Sequence, residues 1–184
     1  AADLIKRHKI DCDTHSKGET LMAHTPRAMA GFEAKARKIE RDYGVAPTIT
    51  PQAELAELGM NSDFFGASTN PIGFALNPLK YTLGLVQAAT DAGARLYANS
   101  PVQRIDQAGG FTLTTPAAQV TAKRLIVATN GYSSDDLPKW MRARYLPTQS
   151  NVIVTRPMSE DEINAQGWSS HQMSYDDRFL LHYF

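Results

Sequence analysis

Cysteine is nearly absent. Cys12 is the only one among 184 residues, so no disulfide can form within the chain, and the expected setting is a reducing, cytoplasmic one. Charge of one sign is not in excess either. Nineteen Lys and Arg balance nineteen Asp and Glu, which removes the electrostatic reason to expect nucleic acid or an anionic membrane surface as a partner. No apolar run approaches the roughly 20 residues that a bilayer-spanning helix needs. Metal-ligand spacing is missing as well: there is no HxxxH, no CxxC and no paired-carboxylate pattern, and His15 and His24 stand isolated, so no metal site is expected. No Ser-His-Asp or Cys-His constellation points to nucleophilic catalysis. None of the twelve glycines falls in GxGxxG spacing, so the turn that would hold a dinucleotide pyrophosphate is not recognisable. There is no initiator Met, and both ends are abrupt. The expectation is an internal piece of a longer enzyme, beginning in mid-helix and ending in mid-strand at Phe184.

What is present reads as alternating helices and short strands. Ala2 to Lys9 fits the last turns of a helix, and Gly18 opens a strand through Ala23. Thr25-Pro26 pairs a capping hydroxyl with a proline at the first helical position. The apolar residues Ala28, Met29, Phe32, Ala36, Ile39 and Tyr43 then recur at helical spacing until Gly44. Thr50-Pro51 repeats the start signal for a shorter helix near Gly59. Phe74 to Leu76 reads as a short strand, and Asn77-Pro78 caps a helix with Leu79, Leu83, Val86 and Ala89 on its apolar face and Gly93 as its stop. Leu96 to Val102 is expected to be extended. Val102–Ile105 and Phe111–Thr114 form a hairpin around Gly109-Gly110, with Val120 on a third strand. A turn over residues 133–138 leads to a long strand from Gln149 to Thr155. Ser159-Glu160-Asp161-Glu162 is a capping box, and Gln172–Tyr175 with Arg178–Phe184 reads as a hairpin around Asp176-Asp177.

The stretch Lys123 to Tyr132 draws attention because a β-branched apolar run, Leu125 to Ala128, stops at small and polar residues. That pattern predicts a buried strand delivering its end to a site. Ala128, Thr129 and Gly131 leave the backbone bare enough for a ligand, and open α/β sheets bind ligands at strand carboxyl ends.

In order and spacing, the segments LNPLKY (76–81), GARLYANSPV (93–102), LIVATNGY (125–132) and LLHYF (180–184) resemble FAD-dependent amine oxidases of the D-amino-acid oxidase family. Glycine, sarcosine and gamma-glutamylputrescine oxidases belong to it. The last group is nearest in look, through LIKRHKIDCD (4–13) and LLHYF. The resemblance implies a mixed α/β fold: part of a Rossmann-like FAD-binding domain plus part of a substrate domain with a largely antiparallel sheet. It divides the chain into a substrate-side segment at 1–76, an FAD-side segment at 77–137 and a substrate-sheet segment at 138–184. It implies FAD as cofactor in the full-length protein, with contacts at Val102, Ala128, Thr129, Asn130 and Gly131. The 184 residues alone are not expected to retain it.

The implied reaction is hydride transfer from a carbon beside an amine nitrogen to FAD, followed by imine hydrolysis and peroxide release, with a small amine or amino acid as substrate. His171, Tyr175, His182 and Tyr183 lie on strands that resemble the sheet roofing the flavin. Strand alternation puts His182 and Tyr183 on opposite faces, and one of these two candidates should face the substrate. The alternative is a non-catalytic binding or accessory domain that has lost the cofactor unit.

Overall fold

Local capping decides where the helices begin. In a computed structural model describing residues 1–133 and 135–184, Thr25 Oγ1 accepts from Ala28 N–H at 3.1 Å to start a helix over Pro26–Ala30 (α2). That helix follows one over Ala2–His8 (α1). Gly31 separates α2 from Phe32–Tyr43 (α3), where one continuous helix is expected from spacing alone, and Gly44 ends α3 in the left-handed conformation, φ 72°. Asn77 Oδ1 accepts from Leu79 and Lys80 N–H, starting Pro78–Asp91 (α4). Ser159 and Glu162 complete a reciprocal capping box for Glu160–Gln166 (α5).

By contacts the chain divides into two units, residues 1–93 with 155–184 and residues 94–154. The first is built on a four-stranded sheet of Glu19–Met22 (β1), Thr48–Pro51 (β2), Gly66–Asn70 (β3) and Ser174–Asp176 (β7) in the order β2-β3-β1-β7. Its pairings are antiparallel except for β1 with β7, which is parallel. Met22, Leu55, Met60 and Ala67 are buried together, with Phe64 and Trp168 packed on them. Thr20 is buried with them, and its hydroxyl is satisfied by Thr69 at 2.9 Å. Gly18 enters β1 with φ 82°. A Cβ there would lie 1.8 Å from the Asn70 carbonyl oxygen, so the strand can start beside β3 only through glycine.

The second unit contains the antiparallel sheet of Arg104–Gln107 (β4), Phe111–Thr114 (β5) and Gln119–Ala122 (β6), with the β4–β5 turn at Gly109-Gly110 as the sequence predicts. Among the described residues no helix is long and apolar enough to cross a membrane.

Several expected elements take another form. Leu125 to Ala128 is not a buried strand. Leu125 and Val127 are half-buried while Ile126 is 87% exposed, which is strand-like alternation without a paired neighbour. A strand exists only where another backbone fills its N–H and C=O groups, and none of the named strands pairs with these residues. The same reason applies to Gln149–Thr155, which is irregular, with Val152, Ile153 and Val154 all exposed. Leu96 to Val102 is likewise irregular. Phe74–Leu76 contributes one bridge, His15 with Ala75, rather than a strand. After Thr50-Pro51, which end β2, the expected helix is replaced by two single 3₁₀ turns, Gln52–Glu54 and Ala56–Leu58, closed by Gly59 at φ 69°. The turn expected over 133–138 includes Ser134, which lies outside the described residues.

Candidate active site

Two constellations, one in each unit, hold the residues that the sequence singles out. In the second unit Thr129 and Asn130, the latter at φ 49°, bend the chain into a 3₁₀ turn over Asn130–Tyr132. Tyr132 N–H donates to the Thr129 carbonyl at 3.0 Å. Ser133 ties the turn down. Its hydroxyl bonds that of Thr129, and its carbonyl accepts from the Tyr145 hydroxyl. The turn forms one wall of an open groove of about 990 Å³ whose other wall is Met141 and residues 145–150. Asn130 and Gly131 line it. Val102 does not; it sits half-buried in the coil before β4. Ala128 and Thr129 are exposed beside the turn.

A Cβ built on Gly131 meets nothing nearer than Pro147 Cβ at 4.0 Å. The chain itself therefore does not require glycine at this position. A side chain added there would occupy the groove.

The groove is lined by Asn130, Gly131, Tyr132, Met141, Tyr145 and residues 146–150, none with a formal charge. That donor set fits a neutral, flat portion of a dinucleotide such as an aromatic ring or a sugar chain. It does not fit the pyrophosphate, which takes backbone donors at a glycine-rich helix amino end.

In the first unit β7 forms a hairpin with the chain end. Ser174 and Phe184 exchange backbone hydrogen bonds at 3.0 and 2.9 Å, and Asp176 N–H donates to the His182 carbonyl at 3.1 Å. This register places Asp176 directly across from His182 and Tyr175 across from Tyr183, as alternation requires. The Tyr175 and Tyr183 rings lie 6.0 Å apart on one face. On the other face Phe184 stacks on Phe64 at 5.7 Å and meets Trp168 edge-on at 5.2 Å.

The Asp176 side chain is fully buried, and four donors fill its carboxylate. Oδ1 accepts from the backbone N–H of His182 (3.1 Å) and of Arg178 (3.3 Å). Oδ2 accepts from His182 Nδ1 (2.8 Å) and from the Arg178 guanidinium. Burial pushes this carboxyl up, but the bonds from His182 and Arg178 outweigh it and hold the group at about 2. Asp177 points elsewhere. Its Oδ1 takes the backbone N–H of His24 at 2.9 Å and His24 Nδ1 at 2.5 Å, which locks the hairpin to the end of β1. Burial again pushes the acid up, and the two His24 bonds bring it below the ordinary carboxylate range.

His182 is 64% exposed at its side chain. Tyr183, with His15 and His171, lines a cavity of about 360 Å³. The two pairs His182–Asp176 and His24–Asp177 are not legible in the sequence. Asp176-Asp177 reads as a turn and His24 as a solvated loop residue. The sequence signal for the first pair is the D-D-R-x-x-x-H spacing at 176–182, which acquires meaning once the hairpin register is known. Among the described residues no three His, Cys, Asp or Glu are grouped to hold a metal ion.

All 184 residues match the family described as DAO, FAD dependent oxidoreductase. The chain belongs to that family. Among curated relatives, gamma-glutamylputrescine oxidoreductase of Escherichia coli strain K12 is 32% identical over 160 residues, covering 86% of this chain and 37% of the relative. A probable oxidoreductase, OrdL, of Haemophilus influenzae is 28% identical over 191 aligned positions, covering 99% of this chain and 43% of that protein. This DAO-family chain therefore spans about two fifths of the length of the curated relatives it matches. Its fold is similar to that of L-proline dehydrogenase from P. horikoshii (TM-score 0.68, 16% identity, 95% of this chain and 47% of that one). It is also similar to glycine oxidase from Geobacillus kaustophilus (TM-score 0.58, 23% identity, 70% and 35%). The mixed α/β class with largely antiparallel sheets agrees with these folds, and the family assignment makes FAD the cofactor.

Proposed function

We propose that this chain serves a flavin-dependent oxidase of small amines or amino acids. The carrying observation is the family match over its whole length, beside a relative named for a gamma-glutamylated diamine and neighbours named for glycine and proline. When bound, FAD supplies the acceptor for a hydride from the carbon beside the substrate nitrogen; the imine product hydrolyses, and oxygen takes the electrons as peroxide.

The chain's own part is to bind, orient and handle protons. Asn130 and Gly131, in the groove, offer a neutral contact for the cofactor, and Thr129, Ala128 and Val102, outside its lining, complete the proposed set. Residues 77–137 form the cofactor side of this reading, and residues 1–76 and 138–184 the substrate side. That division follows the order of the family segments rather than the contact units, since α4 packs with residues 1–93. His182 and Tyr183 are the candidates for touching substrate.

Purifying the full-length polypeptide and recording its visible spectrum tests the reading. A flavin spectrum that bleaches anaerobically on adding gamma-glutamylputrescine, putrescine, glycine or L-proline, with peroxide released in air, is the expected result. A colourless protein inert to all four amines would instead be the accessory domain.

A further inference from the structure

The buried Asp176 carboxylate spends all its acceptor capacity on the hairpin that carries an exposed imidazole. An ionised carboxylate only accepts, so the proton of the His182–Asp176 bond sits on His182 Nδ1, and neutral His182 has its lone pair on Nε2. Nε2 makes no hydrogen bond among the described residues, and the ring is 64% exposed.

Near neutral pH such a group has a use in amine oxidation. An alkylammonium has a pKa of about 10, as for lysine, and carries no lone pair on nitrogen, so its carbon cannot give up a hydride to form C=N until a proton has left. We propose that His182 Nε2 takes that proton from the substrate ammonium, and that Asp176 is the positioning residue that holds His182 in the Nδ1–H tautomer for it. The N–H bond of the ammonium breaks, its electron pair stays on the substrate nitrogen, and a new Nε2–H bond gives an imidazolium facing the Asp176 charge. This rests on the amine-oxidase reading above and adds the base.

The other charged or titratable groups around the pair have their own places. Arg178 shares the Asp176 carboxylate, His24 and Asp177 pair with each other, and Tyr175 and Tyr183 lie on the opposite face, with Glu19 acting on Tyr175. Oδ2 of Asp176 is shared between the Arg178 guanidinium and His182 Nδ1. The carboxylate's main effect is therefore on orientation and tautomer.

The test uses the full-length flavoprotein. Imidazole ¹⁵N shifts should show His182 as the Nδ1–H tautomer, and Asp176→Asn should shift it toward Nε2–H. In stopped-flow reduction by an amine, His182→Gln, which removes the imidazole base, should slow the step about 100-fold near pH 7, the usual range for a general base. The rate should recover as pH nears about 10, where the substrate loses its own proton. A structural role would not produce that recovery. Wild-type rates and pH profile in His182→Gln, or a loss seen only in Tyr183→Phe, would overturn the proposal while leaving the oxidase reading intact. An Nε2–H tautomer in the wild type overturns the role of Asp176 without any turnover measurement, and no reduction by any amine removes both.

Discussion

Asp176 is a charged side chain without exposed surface, and its stability effect depends on its four donors. Because its folded value of about 2 lies below the ordinary 3.8, the contribution is present above about pH 4 and is lost as pH falls toward 2. Thermal melts at pH 6, 4, 3 and 2 should show the first unit losing stability through that interval, and Asp176→Asn should flatten the loss. Since an amide cannot accept from all four donors, the same variant should cost about 2–4 kcal/mol at neutral pH, where donors to a buried charge lose their partner. An unchanged denaturation midpoint would mean that the four bonds are matched by water in the unfolded chain. Gly131 presents the opposite case. A Cβ there meets nothing nearer than 4.0 Å and the position borders an open groove, so Gly131→Trp should leave the melting curve within about 0.5 kcal/mol of wild type, while the full-length protein loses most of its flavin. Equal flavin content in the two proteins would show that the groove is not where the cofactor lies.

At the scale of elements, the helix starts are the most local feature, and they are the part most legible in the amino-acid sequence. Asn77 caps α4 through two backbone donors and also gives its amide N–H to Asp13 at 3.0 Å. Asn77→Ala should therefore destabilise the first unit by about 1 kcal/mol, a typical cap loss, and a change in urea midpoint at constant slope is the measurement. Thr25, Ser159, Gly44 and the Gly109-Gly110 hairpin are legible for the same reason, because each signal lies within a few residues of its effect. Pairing between distant strands is not. The parallel contact of β1 with β7 joins residues about 150 positions apart, and nothing in Glu19–Met22 names Ser174–Asp176 as its neighbour. Leu125–Ala128 shows the converse. Its β-branched run carries the strand signal, and the alternation of half-buried and exposed residues survives, but without a neighbouring backbone it stays unpaired. In the candidate site the turn at Asn130 and Gly131 could be anticipated from residue size. The aspartate that orients His182 could not, because it looks like one half of an Asp-Asp turn.

For the molecule as a whole, the question is how much of a dinucleotide these 184 residues can hold. Their proposed contact with FAD is a neutral groove lined in part by Asn130 and Gly131, and the twelve glycines include no GxGxxG turn for the pyrophosphate. The phosphate charges would stay in water, which removes the interaction that anchors such cofactors. A formed pocket buries about 70–90% of a ligand's surface, whereas a groove open along one side covers roughly half that. Exposed Ile126, Val152, Ile153 and Val154 add apolar surface that no strand covers, and such surface favours self-association. Titrating the purified 184-residue chain with FAD should accordingly give no saturation at micromolar concentration, with protein fluorescence and flavin anisotropy unchanged and light scattering rising with chain concentration. Stoichiometric binding in that titration would place a phosphate site in this chain outside the glycine-rich motif, and the groove would have to be reassigned.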